Sequence, residues 1–292
     1  MTNSAQSHPS ASQPTDMVGV EFGTSADGFA VACIDDTAYA MLPGRNGTHH
    51  LAAAWVVRRP LHELARGDFY GFQGALADEP AFRAKMAEKA EHIREKNALG
   101  RREIHSRAYT PWGPSQGATV FAVGIVCHST AGHGGFHLAT DRNARVDGRL
   151  RNANSWYEED VEWAIVAITF PELFTSFERR CADQTVKDSW PDEFEAITGT
   201  VLEPGQSREK DRRAFQSRHA GDWIVISAIR SDHHDGFVEV VATLGGTRDH
   251  AAEERRFLVR SAEYTVGPFG FVIDPARHDV YDGPSSFIGW GR

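Results

Sequence analysis

The stretch TPWGPSQGATVFAVGIVCHSTAGHGGFHL, residues 110–138, decides the reading of the fold, because turn, strand and loop signals follow one another in it directly. It opens on Thr110-Pro111-Trp112-Gly113-Pro114, a rigid turn in which two prolines fix the backbone and a glycine frees it. The apolar, β-branched run Ala118–His128 predicts a strand. Ser129-Thr130-Ala131-Gly132-His133-Gly134-Gly135 is then a loop, and Phe136–Leu138 a short extended return. The stretch reads as a hairpin whose turn holds a glycine-flanked histidine.

Upstream, residues 1–16 are rich in Ser, Pro, Gln and Thr, too poor in apolar side chains to offset chain entropy, and are expected to form a disordered tail. They lack the basic start and apolar run of a secretion signal. An N-terminal α+β region is expected over 17–103. Its strand-like segments Val18–Phe22, Gly28–Ile34, Thr37–Met41 and Leu51–Val57 are broken by turn formers such as Asp27-Gly28 and Asp35-Asp36, which predicts an antiparallel meander. The period then becomes helical. Phe82, Met86, Ala90 and Ile93 form one stripe, Pro80 suits a first turn and Gly100 a stop, while Arg83, Lys85, Glu88, Glu91, Arg94 and Glu95 lie on a solvated face.

Downstream, the remainder of a central region over 104–200 is expected to hold three helices. Ser155 and Glu158 have the spacing of an S-x-x-E capping box ahead of Val161, Ile165 and Ile168, and Pro171 and Pro191 suit the first turns of the next two helices. Residues 201–218 are polar and charge-dense, which reads as a linker or exposed loop. Over 219–292 the segments Trp223–Ile229, Phe237–Leu244, Arg256–Val259 and Gly270–Ile273 predict a β-rich, antiparallel portion. The fold class expected is α+β: a meander plus helix, a central hairpin with helices, and a C-terminal β-rich portion.

Composition narrows the function classes. A net charge of −9 over 292 residues argues against a broad nucleic-acid-binding surface, which needs a basic stripe. No run approaches the ~20 apolar residues that span a bilayer. Cys33, Cys127 and Cys181 are odd in number and far apart, which suits thiols in a reducing compartment and predicts a cytoplasmic protein.

Residues 110–138, followed by NANSWYEEDVEWAIVAITFPELF at 152–174, resemble an uncharacterised bacterial domain family met on plasmids and other mobile elements. Four features carry the resemblance: Trp112-Gly113, Gly124-Ile125-Val126, the Ser129-Thr130-x-x-His133-Gly134-Gly135 loop, and Glu158-Glu159-Asp160. It covers roughly residues 105–200 and implies no known activity.

His133 is the feature with the most chemistry. Glycines on both sides let the backbone reach left-handed conformations or approach another group closely, and consecutive amides in such a turn can cradle an anion. An imidazole titrates near neutral pH, which suits proton transfer. The candidate catalytic set is His133, Thr130, Glu158 and Asp160, with Glu158 or Asp160 orienting the imidazole. Ser129, Gly132, Gly134, Gly135, Trp112 and Gln116 are the candidate ligand-binding residues. Each has a structural reading beside the functional one: glycines make tight turns in loops of every kind, and acidic residues at a helix start complement its dipole. His128 and His137 flank the loop, but neither an H-E-x-x-H helix nor a C-x-x-C pair accompanies them, so no metal is assigned. No cofactor is implied.

Two functions compete. One is an accessory or binding protein of a mobile element, engaging a basic protein partner through the carboxylate-rich run from Glu158 to Glu195. The other is a hydrolase or transferase with His133 as general acid/base beside a glycine-rich anion-binding loop.

Overall fold

Apolar runs in the N-terminal region are nearly continuous where a sheet with one wet face would alternate, and the reason is that both faces of their sheet are covered. In the computed structural model, which describes residues 19–287, β1 (Glu21–Thr24), β2 (Ala30–Ile34), β3 (Thr37–Pro43), β4 (His49–Ala54) and β5 (Ala75–Leu76) pair antiparallel in chain order. The expected tail at 1–16 lies outside the described residues. Val31, Ala40 and Ala52 pack on Leu61, Leu64 and Phe69 across one face. Ala32, Tyr39, Leu51 and Ala53 pack on Phe82 and Met86 of α1 (Glu79–Ala98) across the other. Helix α1 starts where the Asp78 carboxylate accepts the Ala81 amide at 2.8 Å, and it stops at Gly100, whose φ of +62° few other residues adopt. The expected meander, helical stripe and stop are all present.

After α1 come β6 (Arg102–Ile104) and a two-stranded ribbon, β7 (Tyr109–Thr110) with β8 (Gly113–Pro114), closed by the Thr110 hydroxyl donating to the Gly113 carbonyl at 2.8 Å. This is the rigid turn expected there. The run read as one strand is two, β9 (Gly117–Ala122) and β10 (Ile125–Ser129). Gly124, at φ +80°, reverses the chain within it, a turn that a single glycine among β formers did not announce. Strand β11 (Gly134–Leu138) follows as the expected return, and then the short helix α2 (Thr140–Asn143).

The expected capping box does not form. Ser155 has φ +62°, and Trp156–Glu158 is a strand, β12, paired with β11. The helix begins only at Trp163, as α3 (Trp163–Thr169). Trp156 and Tyr157 are good strand residues with a neighbouring strand to pair with, and that tertiary pairing overrides the local cap spacing. The second sheet therefore has the order β12-β11-β10-β9-β6.

The chain divides into two units. One comprises the described residues up to Asn143 with Ala153–Glu159 and Val166–Arg180, and holds both sheets above; the other comprises Ala144–Asn152, Asp160–Ile165 and the chain from Cys181 onward. Pro171 opens a single 3-10 turn, Pro171–Leu173, and α4 (Ser176–Ser189) starts later, whereas Pro191 does begin α5 (Pro191–Thr198). Within the segment expected as a linker or loop, Arg208–Arg218 is a helix, α6, capped by the buried Ser207 accepting the Lys210 amide at 3.3 Å. Its dense charge is a ladder: Glu209 pairs with both Arg212 and Arg213. The β-rich end is the antiparallel sheet β13 (Trp223–Arg230), β14 (Phe237–Leu244) and β15 (Glu254–Arg260). Residues 270–273 add only isolated bridges to it, such as Val272 to Ile224. Among the described residues, no helix is long and apolar enough to cross a membrane.

Candidate functional site

The register of the second sheet sets which side chains share a face. Glu103, Thr119, Cys127, Phe136 and Tyr157 lie in one row across its five strands. In the next row Gly117 faces Ser129, Ser129 faces Gly134, and the Glu159 amide donates to the Gly134 carbonyl at 3.0 Å. Residues two apart in a strand point the same way, so both rows are on one face. Phe136 and Tyr157 are buried and fill one end of it. Toward β6 the row of Gly117, Ser129 and Gly134 has almost no side-chain volume, and a cleft of about 470 Å³ opens there.

Two carboxylates, Glu103 and Glu159, line this cleft together with Thr119, Cys127, Ser129 and Gln116, and no lysine or arginine does. Glu159 reaches in because Gly134 leaves room: a Cβ at Gly134 would collide with the Glu159 carboxylate and come within 2.6 Å of the His128 carbonyl oxygen. Burial, and after it the Glu159 charge, pushes the Cys127 thiol up to about 11, with Arg101 acting the other way. At neutral pH that sulfur is a protonated thiol and no nucleophile. Arg101 is itself engaged, donating to Glu178 at 2.8 Å and to the Leu173 carbonyl at 2.7 Å while its guanidinium lies 4.1 Å from the centre of the Phe121 ring.

The expected catalytic residues do not lie in this cleft. His133 sits at the tip of the β10–β11 turn, 58% exposed, with Nδ1 3.7 Å from Glu158 Oε1. Glu158 pairs opposite Gly135, and therefore faces away from the row of Tyr157 and Phe136. It is not in the first turn of a helix, so the dipole role does not apply. Asp160 lies beyond β12, in the second unit, in the turn before α3. Thr130 closes the turn: its hydroxyl donates to the His133 carbonyl at 2.6 Å and accepts the His133 amide at 3.2 Å, and its amide donates to the same carbonyl at 2.8 Å. The Thr130 and His133 amides are thereby spent within the loop, and the Glu158 and Glu159 carboxylates flank it.

Of the two freedoms expected of the three glycines beside His133, the left-handed one is not used by any of them. Gly134 and Gly135 permit close approach, Gly134 to Glu159 and Gly135 to the Trp112 ring and the Tyr157 carbonyl, and Gly132 stands in open space. Trp112 covers Gly135 and meets Trp156 edge to face, with ring centres 5.8 Å apart, so its role is packing. Of the expected ligand-binding residues, Ser129 and Gln116 line the cleft. Glu103, Thr119, Cys127 and Glu159 were not singled out as its lining; the signal for them was the small-residue row that the strand register aligns.

On the opposite face His128 is buried with Nδ1 3.1 Å from the Ser115 hydroxyl, and both His128 and His137 lie against Trp156. Burial lowers the pKa of both, and a charge on His137 lowers His128 further. The folded state thus holds two imidazoles neutral that the unfolded chain protonates below about pH 6.5, so stability is lost as pH falls through that range. The melting temperature is expected to drop between about pH 6.5 and 5, with a shallower drop in His137→Phe, by thermal denaturation across pH.

Many carboxylates in the acidic run are matched locally. Glu178 pairs with Arg101, Asp183 with Lys187, Asp192 with Arg213 and Glu195 with Lys210, and Asp188 accepts the Arg208 amide. Part of the run is therefore made of helix surfaces whose charges are matched within the fold.

A family described as a domain of unknown function (DUF7007) matches residues 105–220, which start just after β6 and take in β7 to β12 and α6, while Glu103 lies outside the match. No curated protein and no solved structure matches the chain.

Proposed function

We propose that the protein is a binding protein that holds a basic side chain of its partner in the cleft between Glu103 and Glu159, and that it serves as a cytoplasmic accessory of a bacterial mobile element. One observation carries the binding reading: a cleft of about 470 Å³ lined by two carboxylates, two histidines (His105 and His128) and polar side chains, with no lysine or arginine among its lining residues. A lysine or arginine entering it gains charge-assisted hydrogen bonds from carboxylates that are otherwise unmatched by lining cations. The acidic balance of the whole chain favours the same class of partner. The mobile-element setting rests on the resemblance of the Trp112-Gly113, Ser129–Gly135 and Glu158–Asp160 motifs to a family met on such elements.

Titration of the full chain with arginine amide tests it by NMR. Amide shifts are expected at Glu103, Thr119, Cys127 and Glu159, and affinity is expected to fall at least about tenfold in Glu103→Gln/Glu159→Gln and to weaken with salt. Absence of shifts at these positions at millimolar ligand overturns the reading.

The alternative, a hydrolase or transferase with His133 as general acid/base, draws on the 3.7 Å approach of its Nδ1 to Glu158. His133→Ala separates the two, since it leaves arginine amide binding unchanged if the cleft is the site.

A further inference from the structure

Strand β6 is the last of its sheet, paired with β9 alone among the described strands, and all three of its residues are exposed. Its outer edge has neither a proline nor a bulge, and its remaining guards against pairing are its three-residue length and the charges of Arg102 and Glu103. Glu103, Ile104 and His105 also line the cleft, so this edge is one wall of it.

We propose that the β6 edge takes an extended segment of the partner as an added strand, with a lysine or arginine of that segment entering the cleft. This rests on the reading of the cleft as a site for a basic side chain, and it follows from period-two geometry. A residue paired with Glu103 from outside puts its side chain on the face shared by Glu103, Thr119 and Cys127, which is the cleft face. Its neighbour, paired with Ile104, faces the opposite way, beside an isoleucine that is 40% exposed. The edge thus selects a basic residue next to an apolar one in extended conformation. Main-chain bonds supply affinity, and the two side-chain positions supply the choice of sequence.

Calorimetry on the full chain compares arginine amide, the peptide acetyl-Thr-Val-Arg-Val-Thr-amide, its Arg-to-Gln form, and two forms N-methylated at alternate amides, one for each hydrogen-bonding register. The arginine peptide is expected to bind at least about tenfold tighter than arginine amide and to lose that gain in the Gln form and in one N-methylated form. Exchange of the β6 amides directed away from β9 is expected to slow when it is bound. If the peptide binds no tighter than arginine amide, or both N-methylated forms bind equally well, or β6 exchange is unchanged, strand addition is overturned while the cleft reading stands. If neither peptide nor arginine amide binds, both fall.

Discussion

Replacing Glu239 by alanine is expected to destabilise the second unit by about 3 kcal/mol, because it leaves the partly buried Arg256 guanidinium without its carboxylate. Glu239, on β14, is fully buried and bound by Arg256 Nη1 at 2.9 Å, the Ser285 hydroxyl at 2.9 Å and the Ser286 amide at 2.9 Å. Burial pushes its pKa up, but the Ser286 amide, Arg256 and the Ser285 hydroxyl outweigh burial and hold the carboxyl below its ordinary value. Its stabilisation is therefore complete above the unfolded value near 4.3 and is lost as pH falls through the folded one. Arg256 also donates to the Gly283 carbonyl at 2.7 Å, so the pair ties residues 283–286 to the sheet. Chemical denaturation of Glu239→Ala should show the loss, with a melting temperature lower by on the order of 10 °C. Glu239→Leu/Arg256→Met should recover most of it, since an apolar pair leaves no charge unmatched. A double variant as unstable as the single one would mean that the cluster acts through specific hydrogen bonds.

The second large effect is expected at Gly135. A Cβ there collides with the Tyr157 carbonyl oxygen on one side and the Trp112 ring on the other, and both belong to packed structure. Gly135→Ala must push β12 or Trp112 away, and about 3 kcal/mol of destabilisation is expected. Gly132→Ala, three positions earlier in the same loop, meets nothing within 4 Å at a backbone angle open to alanine, and should be neutral or slightly stabilising. Denaturant midpoints of the two variants test the contrast; equal midpoints would show that Trp112 yields freely.

The contrast bears on how much of the site was legible. The motif Gly-His-Gly-Gly drew attention to the imidazole, yet two of its glycines serve their neighbours: Gly134 makes space for Glu159 and Gly135 for Trp112. Ser129 and Gln116, both singled out from the sequence, do line the cleft. Glu103 was not, because it lies outside the motif in sequence and joins it only through pairing of β6 with β9. The acidic triplet was visible as chemistry, but its geometry was misread as a helix start.

Sequence by itself determined the α+β class, the N-terminal meander, α1 with its stripe and stop, and the β-rich C-terminal portion. These follow from local periodicity, turn residues and caps, which act over a few positions. Only the tertiary structure decided that Ala118–His128 folds back on itself at Gly124 and that Trp156–Glu158 completes a sheet. It also decided that Glu158 and Glu159 serve opposite faces of that sheet. Adjacent residues in a strand point apart, so a shift of one residue in register would have exchanged the two carboxylates, and register is fixed by contacts with distant strands. The glycine-flanked histidine stands at the tip of the hairpin, and the pairing of its neighbours sets the cleft on the face of the sheet away from Glu158.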